Sequence, residues 1–386
     1  MFANLSFHEE VIGETSSTEI RALKILCVGR VCLDIVQTCT QFPAEDSTER
    51  AIDCRWQRGG NASNTCTALS LIGQPCELLA CLSADDHITF MRDDLRKYKI
   101  DYSHCPVIKG TGCLIASIIL SLSTGSRTIV YHNQGLPKST LKSFMELNLD
   151  EYCWIHFEGI NIDEVLLCIQ RIEKYNNSIL NRTPDRMPIT ISLELESPRS
   201  GSRLLSLLPH VDVAFVSKEF ANNLGLSNMN EVVEVHNVGQ NTKATIVCAW
   251  GEKGAIARTS CGVIVQSPAF PPKKVIDTLG AGDTFNAAII YYLNKSKVEF
   301  MHKYNRTACT SDTSQTTDTS AVKQSVEKNF NRENFKSNQL NFITEAVLQK
   351  TVKFACCVAG AKVGLRGFDN LDVVSKEILQ MDFVKH

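Results

Sequence analysis

Short apolar runs alternate with amphipathic stretches along most of the chain. The runs are rich in β-branched and aromatic residues, which favours buried strands; they read KILCV, CELLACLS, YCWIHFEGI, MPITISLELE, VDVAFVSKE and KATIVCAWG. Among the stretches between them, NASNTCTALSLIG (Asn61 to Gly73) begins with polar residues and ends with glycine, as helices do. Strands that alternate with helices form mostly parallel sheets covered on both faces. The pattern therefore predicts a three-layer α/β/α fold.

One pair of predicted strands departs from this alternation. GCLIASIILSL and RTIVYHN, within residues 112–133, are joined by STGS, which is typical of a hairpin. The strands of a hairpin are antiparallel, whereas parallel neighbours need a long crossover. We therefore expect a small antiparallel β lid over a binding site, formed by residues of about 30–58 and 108–133.

Two segments lack a consistent period. Residues 1–22 are polar and are expected to form a disordered tail. Residues of about 297–341 are rich in Ser, Thr, Asn, Gln and charge, which predicts a disordered insertion. The core resumes in LNFITEAVLQKTVKFACCVAGAKVGLRGF, a predicted helix that ends near Gly364 or Gly367. Residues 23–386 are thus expected to form one domain that the insertion interrupts.

Composition narrows the classes of function. The chain of 386 residues has 40 Lys plus Arg and 42 Asp plus Glu, which leaves no basic footprint for nucleic acid or an anionic membrane. Its 16 cysteines are scattered through apolar runs, so buried free thiols are favoured over disulfides or a metal site. The N-terminal stretch lacks a signal-peptide pattern, and no apolar run approaches the roughly 20 residues of a membrane span. The sequence predicts a cytoplasmic protein.

The stretch VIDTLGAGDTF carries the first candidate chemistry. Gly280 and Gly282 allow close backbone approach, and the residues that follow are a predicted helix whose N-terminus would hold an anion. Asp283 adds a carboxylate at that point. A carboxylate beside an anion hole suits phosphoryl transfer, because it can accept the proton of an attacking hydroxyl. From these residues alone, a carboxylate that only stabilises the helix N-terminus remains an alternative.

A second polar constellation begins the first predicted helix. In WQRGGNASN, Asn61 and Asn64 lie three residues apart and share one face of the first turn, where their amides could hold a polyhydroxylated ligand. Capping of the helix by Asn61 is the alternative. Asp34 stands alone among apolar residues in VCLDIV, and such a carboxylate needs a partner, which a ligand hydroxyl would supply.

Together these motifs are recognisable. GRVCLDIV, GGNASN and DTLGAGDTFNAAI occur in the order found in the ribokinase-like, or PfkB, family of carbohydrate kinases, and the resemblance runs from about Lys24 to Leu371. The wider set of motifs is similar to the branch of the family that phosphorylates fructose at its 1-hydroxyl. The resemblance implies a ribokinase-like α/β/α core with a β lid and an ATP-dependent sugar kinase.

The resemblance also implies roles for individual residues. They are the catalytic base Asp283; the anion hole Gly280, Ala281 and Gly282; the sugar contacts Asp34, Gly60, Asn61 and Asn64; the lid residue Arg127, which would reach the nucleotide phosphates; the ATP loop Gly251, Glu252, Lys253 and Gly254; the adenine border Cys356 and Ala359; and Glu219, which would organise magnesium through water. A solvated Arg127, a plain turn at 251–254 and helix packing by Cys356 and Ala359 remain open.

The sequence departs from the family's pattern at three positions. Val216 replaces the asparagine of the Asn-x-x-Glu motif that ends at Glu219, which weakens the assignment of a magnesium role there. Ser126 and Asn133, at the ends of the hairpin's second strand, replace an expected amide and an expected aspartate.

Cofactors and partners follow from the same resemblance. It implies ATP with Mg²⁺, a ketohexose substrate, a K⁺ ion near Asp277 and residues 364–367, and a homodimer joined through the lid. A family member that acts on ribose, adenosine or tagatose, and a weakly active sugar or nucleotide sensor, are the alternatives.

Overall fold

A computed structural model describes residues 23–182, 186–196, 198–234, 238, 242–310 and 342–383. The predicted tail, residues 1–22, lies outside the described residues. None of the helices in the described ranges combines the length and the apolar character that crossing a membrane requires.

The described chain contains fourteen strands. They are β1 (Lys24–Val28), β2 (Cys32–Cys39), β3 (Asp53–Gly59), β4 (Cys76–Leu79), β5 (Leu82–Ser83), β6 (Val107–Ile108), β7 (Leu114–Ser121), β8 (Arg127–Asn133), β9 (Tyr152–Phe157), β10 (Thr190–Leu195), β11 (Val213–Val216), β12 (Thr245–Ala249), β13 (Ala255–Arg258) and β14 (Ile264–Ser267). Every run predicted as a strand forms one, although CELLACLS is divided between β4 and β5.

Helices connect most of these strands. They are α1 (Asn61–Ile72), α2 (Ile88–Lys97), α3 (Leu141–Glu146), α4 (Ile162–Arg182), α5 (Lys218–Asn223), α6 (Met229–Glu234), α7 (Ala281–Thr310), α8 (Glu345–Val363) and α9 (Leu371–Phe383), with short 3₁₀ segments at Leu149–Glu151, Pro198–His210 and Gly251–Lys253. As predicted, α1 ends at Gly73 in the left-handed conformation, and α8 ends before Gly364.

The central sheet has eight strands in the order β14-β13-β12-β11-β10-β9-β1-β4. The six strands from β12 to β4 are parallel, and β13 and β14 add an antiparallel edge. One apolar core packs α1, α2, α7, α8 and α9 on one face, and a second packs α3 to α6 on the other. The predicted three-layer α/β/α fold is confirmed.

The lid is a separate sheet in the order β3-β2-β7-β8. Its β2–β3 and β7–β8 pairs are antiparallel, as expected for a hairpin lid, whereas β2 and β7 are parallel, because the chain crosses the core between them. Cys32, Val36, Ala116 and Ile118 form a small core on one lid face, and Leu279, from the Gly-Ala-Gly-Asp loop, packs into it. The lid is thereby joined to the loop that carries the candidate chemistry.

The structure corrects the predicted start of the insertion near residue 297. Helix α7 continues to Thr310, and Lys297 belongs to the core, with only 3% of its surface exposed. Its ammonium donates to the main-chain oxygens of Cys153 (2.9 Å) and Pro188 (2.6 Å) and to the hydroxyl of Thr190 (2.8 Å). These oxygens satisfy the buried charge of Lys297. Residues 311–341 lie outside the described residues.

The cysteines behave as the composition suggested. Those of the described chain are free, and most are buried, with Cys54 and Cys261 exposed. One group that could hold a metal combines Cys113 with Asp85 and His87. The carboxylate of Asp85 accepts the main-chain N–H of Cys113 at 2.6 Å and of His87 at 3.1 Å, which joins the residue before β7 to the residue before α2.

The anchoring of α7 by Lys297 leads to a prediction about stability. Lys297→Met would leave two main-chain oxygens and a hydroxyl unpaired in the core, so we expect the free energy of unfolding to fall by about 3 kcal/mol in chemical denaturation. The matched control is Lys174→Met on α4, where the lysine is exposed, and its unfolding should match that of the wild type. Equal stability of the two variants would contradict the anchoring role.

Candidate active site

Asp283 lies in the first turn of α7, which begins just after the turn at Gly280, and the amide of Asn64 contacts its carboxylate. Gly280, with φ of 74°, turns the chain above the ring of Phe368; a Cβ there would lie 2.9 Å from that ring. Asn64 of α1 donates from Nδ2 to Asp283 Oδ2 at 2.8 Å. The other amide atom, Asn64 Oδ1, is buried and has no hydrogen-bond partner in the described chain. An unpaired buried acceptor beside a carboxylate suits a ligand hydroxyl.

The environment of Asp283 favours its protonated form. Burial raises the pKa of its carboxyl well above the usual range, the charges of Glu194 and Glu196 raise it further, and the hydrogen bond from Asn64 opposes them. A carboxylate of raised pKa is a stronger base than an exposed aspartate. Asp283 is thus suited to accept a proton, in addition to its favourable position at a helix N-terminus.

Glu194, which the sequence reasoning missed, connects several elements beneath this site. It is buried at the end of β10 and accepts from Asn61 Nδ2 (3.1 Å), Asn286 Nδ2 (3.0 Å) and His156 Nε2 (3.1 Å). These donors lower the pKa of its carboxyl against the effect of burial. The signal was present in ISLELE, where acidic residues interrupt a buried strand.

The structure also decides between the roles considered for Asn61. Helix α1 begins after Gly60, which has φ of 95° and provides no side-chain cap. The amide of Asn61 instead bridges Glu194 and Glu196, so the capping alternative is wrong.

Nearby, the carboxylate of Glu158 accepts from the main-chain N–H and Nε of Arg30 at 2.7 and 2.6 Å. Glu158, Glu194 and Glu196 therefore all accept hydrogen bonds.

Asp34 faces the glycine pair that precedes α1. A Cβ on Gly59 would lie 2.2 Å from Asp34 Oδ2, so only glycine allows this approach. Cys32 donates from Sγ to Asp34 Oδ1 at 3.1 Å. Burial raises the pKa of Asp34 to about 6, against a usual 3.8. Asp34 therefore lies beside Gly59, just before Gly60 and α1, and the contacts of Asp34, Gly60 and Asn64 with a sugar stay predictions.

Two lid arginines reach the loop that precedes α7. Arg127 donates from Nη1 to the main-chain oxygen of Thr278 at 3.4 Å, and Arg55 donates from Nη2 to Asp277 Oδ2 at 2.8 Å. The exposed Arg127 therefore contacts the protein instead of remaining only solvated. Arg55 was not singled out from the sequence, because an arginine in an alternating strand has no distinguishing local pattern.

Asp277 fixes the shape of this loop from within. Its Oδ1 accepts the N–H of Leu279 at 2.9 Å and so caps the turn, and its Oδ2 accepts the N–H of Gly367 at 3.0 Å. The ammonium of Lys362, at the end of α8, donates to the main-chain oxygens of Asp277 and Leu279. Burial lowers the pKa of Lys362 to about 8, so it carries a charge at neutral pH.

The predicted nucleotide residues form a second neighbourhood. Gly254 approaches the main chain of Ser267 so closely that a Cβ would lie 2.1 Å from its oxygen, and Cys356 of α8 hydrogen-bonds to Ser267. Ala359 is half-buried one turn further along α8. The loop 251–254 and α8 thus meet at the end of β14. Their contact with a nucleotide stays a prediction.

The structure does not join Glu219 to the buried carboxylates. Glu219 is exposed in the first turn of α5 and makes no hydrogen bond or ion pair within the described part of the chain. Helix α5 follows β11, which neighbours β10, so Glu219 is on the same edge of the sheet as Glu194 and Glu196.

Comparisons by family, by sequence and by structure all find that this chain is similar to sugar kinases. Residues 22–310 match the model of the pfkB family of carbohydrate kinases. The chain is 34% identical to ketohexokinase of Mus musculus over 348 residues, which are 90% of this chain and 98% of that protein. A ribokinase structure from Giardia lamblia has a TM-score of 0.71 at 15% identity, over 93% of this chain and 100% of that one. A fructokinase with bound ATP from Xylella fastidiosa has 0.64 at 16%, over 93% and 99%.

The burial of Asp34 predicts a pH dependence of stability. Because its pKa is about 6 when folded and 3.8 in the unfolded chain, the folded state holds the proton more tightly between these values. Its contribution to the free energy of unfolding therefore falls as the pH rises from about 4 to about 6, by about 3 kcal/mol in total.

Denaturation of Asp34→Asn across that pH range measures this contribution. The variant should gain stability relative to the wild type as the pH rises, because asparagine carries no charge to bury. Asp86→Asn, at an exposed aspartate, should follow the wild type at every pH. A constant difference between Asp34→Asn and the wild type would show that Asp34 titrates normally.

Proposed function

The chain belongs to the pfkB family of carbohydrate kinases, and from that premise we propose that it transfers the terminal phosphoryl group of ATP to the 1-hydroxyl of D-fructose. The observation that carries the proposal is the pair Asn64 and Asp283. One atom of the Asn64 amide is bound to the carboxylate, and the other is a buried acceptor that needs a donor. A sugar with adjacent hydroxyls can donate to both residues.

In the proposed reaction, Asp283 accepts the proton of the attacking hydroxyl as that oxygen attacks the phosphorus. Its pKa is raised by burial and by the neighbouring carboxylates, which makes its ionised form a stronger base than an exposed aspartate. The amides of Gly280, Ala281 and Gly282 hold the charge on the transferring phosphoryl group. Arg127, already at the main chain of Thr278, offsets further phosphate charge when the lid is closed.

The ketose is proposed to bind between the lid and α1. Asp34 and Gly60 border this space, and Asn64 extends it to Asp283. Asn61 is proposed to contact the sugar through its amide oxygen, because its amide nitrogen already donates to Glu194 and Glu196. The similarity to mouse ketohexokinase supports a ketohexose as the substrate.

ATP is proposed to lie over the loop Gly251, Glu252, Lys253 and Gly254, with Cys356 and Ala359 bordering the adenine. The shared neighbourhood of this loop and α8 supports the assignment, as does the Xylella fructokinase, which holds ATP. An ion of Mg²⁺ would neutralise phosphate charge in such a reaction. Glu196, open to solvent, and Glu219 offer oxygen ligands on this edge of the sheet, either directly or through water.

A homodimer joined through the lid is also proposed. Strand β8 is an edge strand and is largely exposed, including Val130 and Tyr131, whose exposed fractions are 64% and 55%. An exposed apolar edge is suited to pair with a second copy. The free cysteines are typical of a reducing compartment and support a cytoplasmic location.

The proposed base is tested by Asp283→Asn. Asparagine has the same shape but cannot take a proton, so we expect kcat to fall by about 10²- to 10⁴-fold. Calorimetry should still detect binding of fructose and of ATP. Asp86→Asn serves as the control and should keep the wild-type kcat. Wild-type turnover in Asp283→Asn would remove the base assignment.

Substrate identity is tested by ADP release with D-fructose, D-ribose, adenosine and D-tagatose. We expect kcat/KM to be highest for fructose and the 1-phosphate to be the product by NMR. Asn64→Leu should lower kcat/KM for fructose on the order of 10²-fold without changing KM for ATP, because the nucleotide does not contact Asn64. A preference for ribose or adenosine would overturn the substrate, and no ADP release with any of them would indicate a sensor.

A further inference from the structure

The place where the resemblance predicted K⁺ contains a residue of the chain. Lys362 is fully buried, and its ammonium donates to the main-chain oxygen of Asp277 at 3.0 Å and to that of Leu279. It lies 3.9 Å from Asp277 Oδ1. The ring of Phe368 covers it, with 5.5 Å between Nζ and the ring centroid. Two carbonyls, a carboxylate and an aromatic face thus surround one positive charge.

These surroundings do not fit an additional monovalent ion. An alkylammonium and K⁺ carry the same charge and seek the same oxygen ligands, so they compete for the carbonyls of Asp277 and Leu279. Two cations in one buried cage would also repel each other strongly, because the interior screens charge poorly. The predicted K⁺ near Asp277 and residues 364–367 is therefore incompatible with Lys362 in this position.

We propose that Lys362 is a built-in cation that orders the anion-hole loop in place of a monovalent metal ion. Leu279, whose oxygen it binds, directly precedes Gly280, so the bond fixes the point from which the amides of 280–282 project. The same end of α8 binds the loop a second time, since Val363 accepts the N–H of Ile276 (2.9 Å) and of Asp277 (3.1 Å). Lys362 also lies in the last turn of its helix, where the dipole favours a positive charge.

Lys362 is thus a positioning residue that acts through Leu279 and Gly280. Its consequence is that the wild-type protein needs no K⁺ for stability or for turnover. The turnover part rests on the proposed kinase function, whereas the stability part does not.

The test compares the wild type with two substitutions that differ only in the space they leave. Lys362→Ala opens a cavity beside the carbonyls of Asp277 and Leu279, which K⁺ can enter. Lys362→Met removes the charge but fills that space. The matched control is Lys297→Ala, which deletes another buried ammonium bound to main-chain oxygens, in the middle of α7.

Thermal unfolding is measured first, without substrates, with KCl exchanged for tetramethylammonium chloride at constant ionic strength. We expect the Tm of the wild type to be the same in both salts, because the cation is already in place. The Tm of Lys362→Ala should rise in KCl, as binding to the folded state requires, and those of Lys362→Met and Lys297→Ala should not.

Turnover is measured next in the same salts. We expect kcat of Lys362→Ala to be lower than that of the wild type on the order of 10²-fold, since anion-hole donors are displaced, and to recover on the order of tenfold in KCl. Lys362→Met should show no recovery.

Some outcomes would overturn the proposal. They are a wild type whose Tm or kcat depends on K⁺, a Lys362→Ala variant with unaltered kcat, or a gain in KCl that Lys297→Ala shares. The wild-type salt comparison decides even if Lys362→Ala does not fold. If the protein lacks kinase activity, the unfolding data still stand, so the two proposals fail separately.

Discussion

The candidate site depends on one buried carboxylate, Asp283, that can accept a proton although other carboxylates surround it. Asp283, Glu194, Glu196 and Glu158 lie near enough for the charges of the three glutamates to raise the pKa of Asp283, and the buried members of the group need compensation in a poorly screening interior. Arg30 compensates Glu158, while His156 and two amides compensate Glu194. Among the described residues, Asn64 supplies the one hydrogen bond to the carboxylate of Asp283. This uneven distribution of donors raises the pKa of Asp283, whereas the donors around Glu194 lower the pKa of that carboxyl and anchor it between elements.

The scaffold serves this distribution. Glu194 lies near the end of the parallel strand β10, and Asp283 lies in the first turn of α7, which packs on the sheet. The carboxyl edge of the sheet therefore meets a helix N-terminus at this site. Helix α1 completes the junction by presenting Asn61 to one acid and Asn64 to the other. The three-residue spacing of the asparagines matters because it points both amides toward the same edge.

The sequence was sufficient for the layers and for the central motif, because both have local signatures. Apolar runs marked the buried strands, and glycine marked the end of α1. Glu194 and Lys362 were missed, since a charged residue usually indicates a surface, and only its partners from distant segments reveal that it is buried. The predicted insertion began too early for a related reason, because the polar composition of its first residues did not reveal that α7 continues and that Lys297 is buried. Local pattern cannot anticipate the bonds that join Lys362 to Leu279 or Arg55 to Asp277, which connect separate parts of the chain.

The shared oxygen of Asp277 has a thermodynamic consequence. Its Oδ2 accepts from Arg55 of the lid and from the main chain of Gly367 in the core. The position of the lid and the order of the loop that precedes α7 are therefore coupled. A ligand that stabilises the closed lid also stabilises the loop. Linkage then requires that a ligand held by the loop tightens the binding of the ligand beneath the lid by the same factor. Each ligand would thus be held most firmly when the other is present.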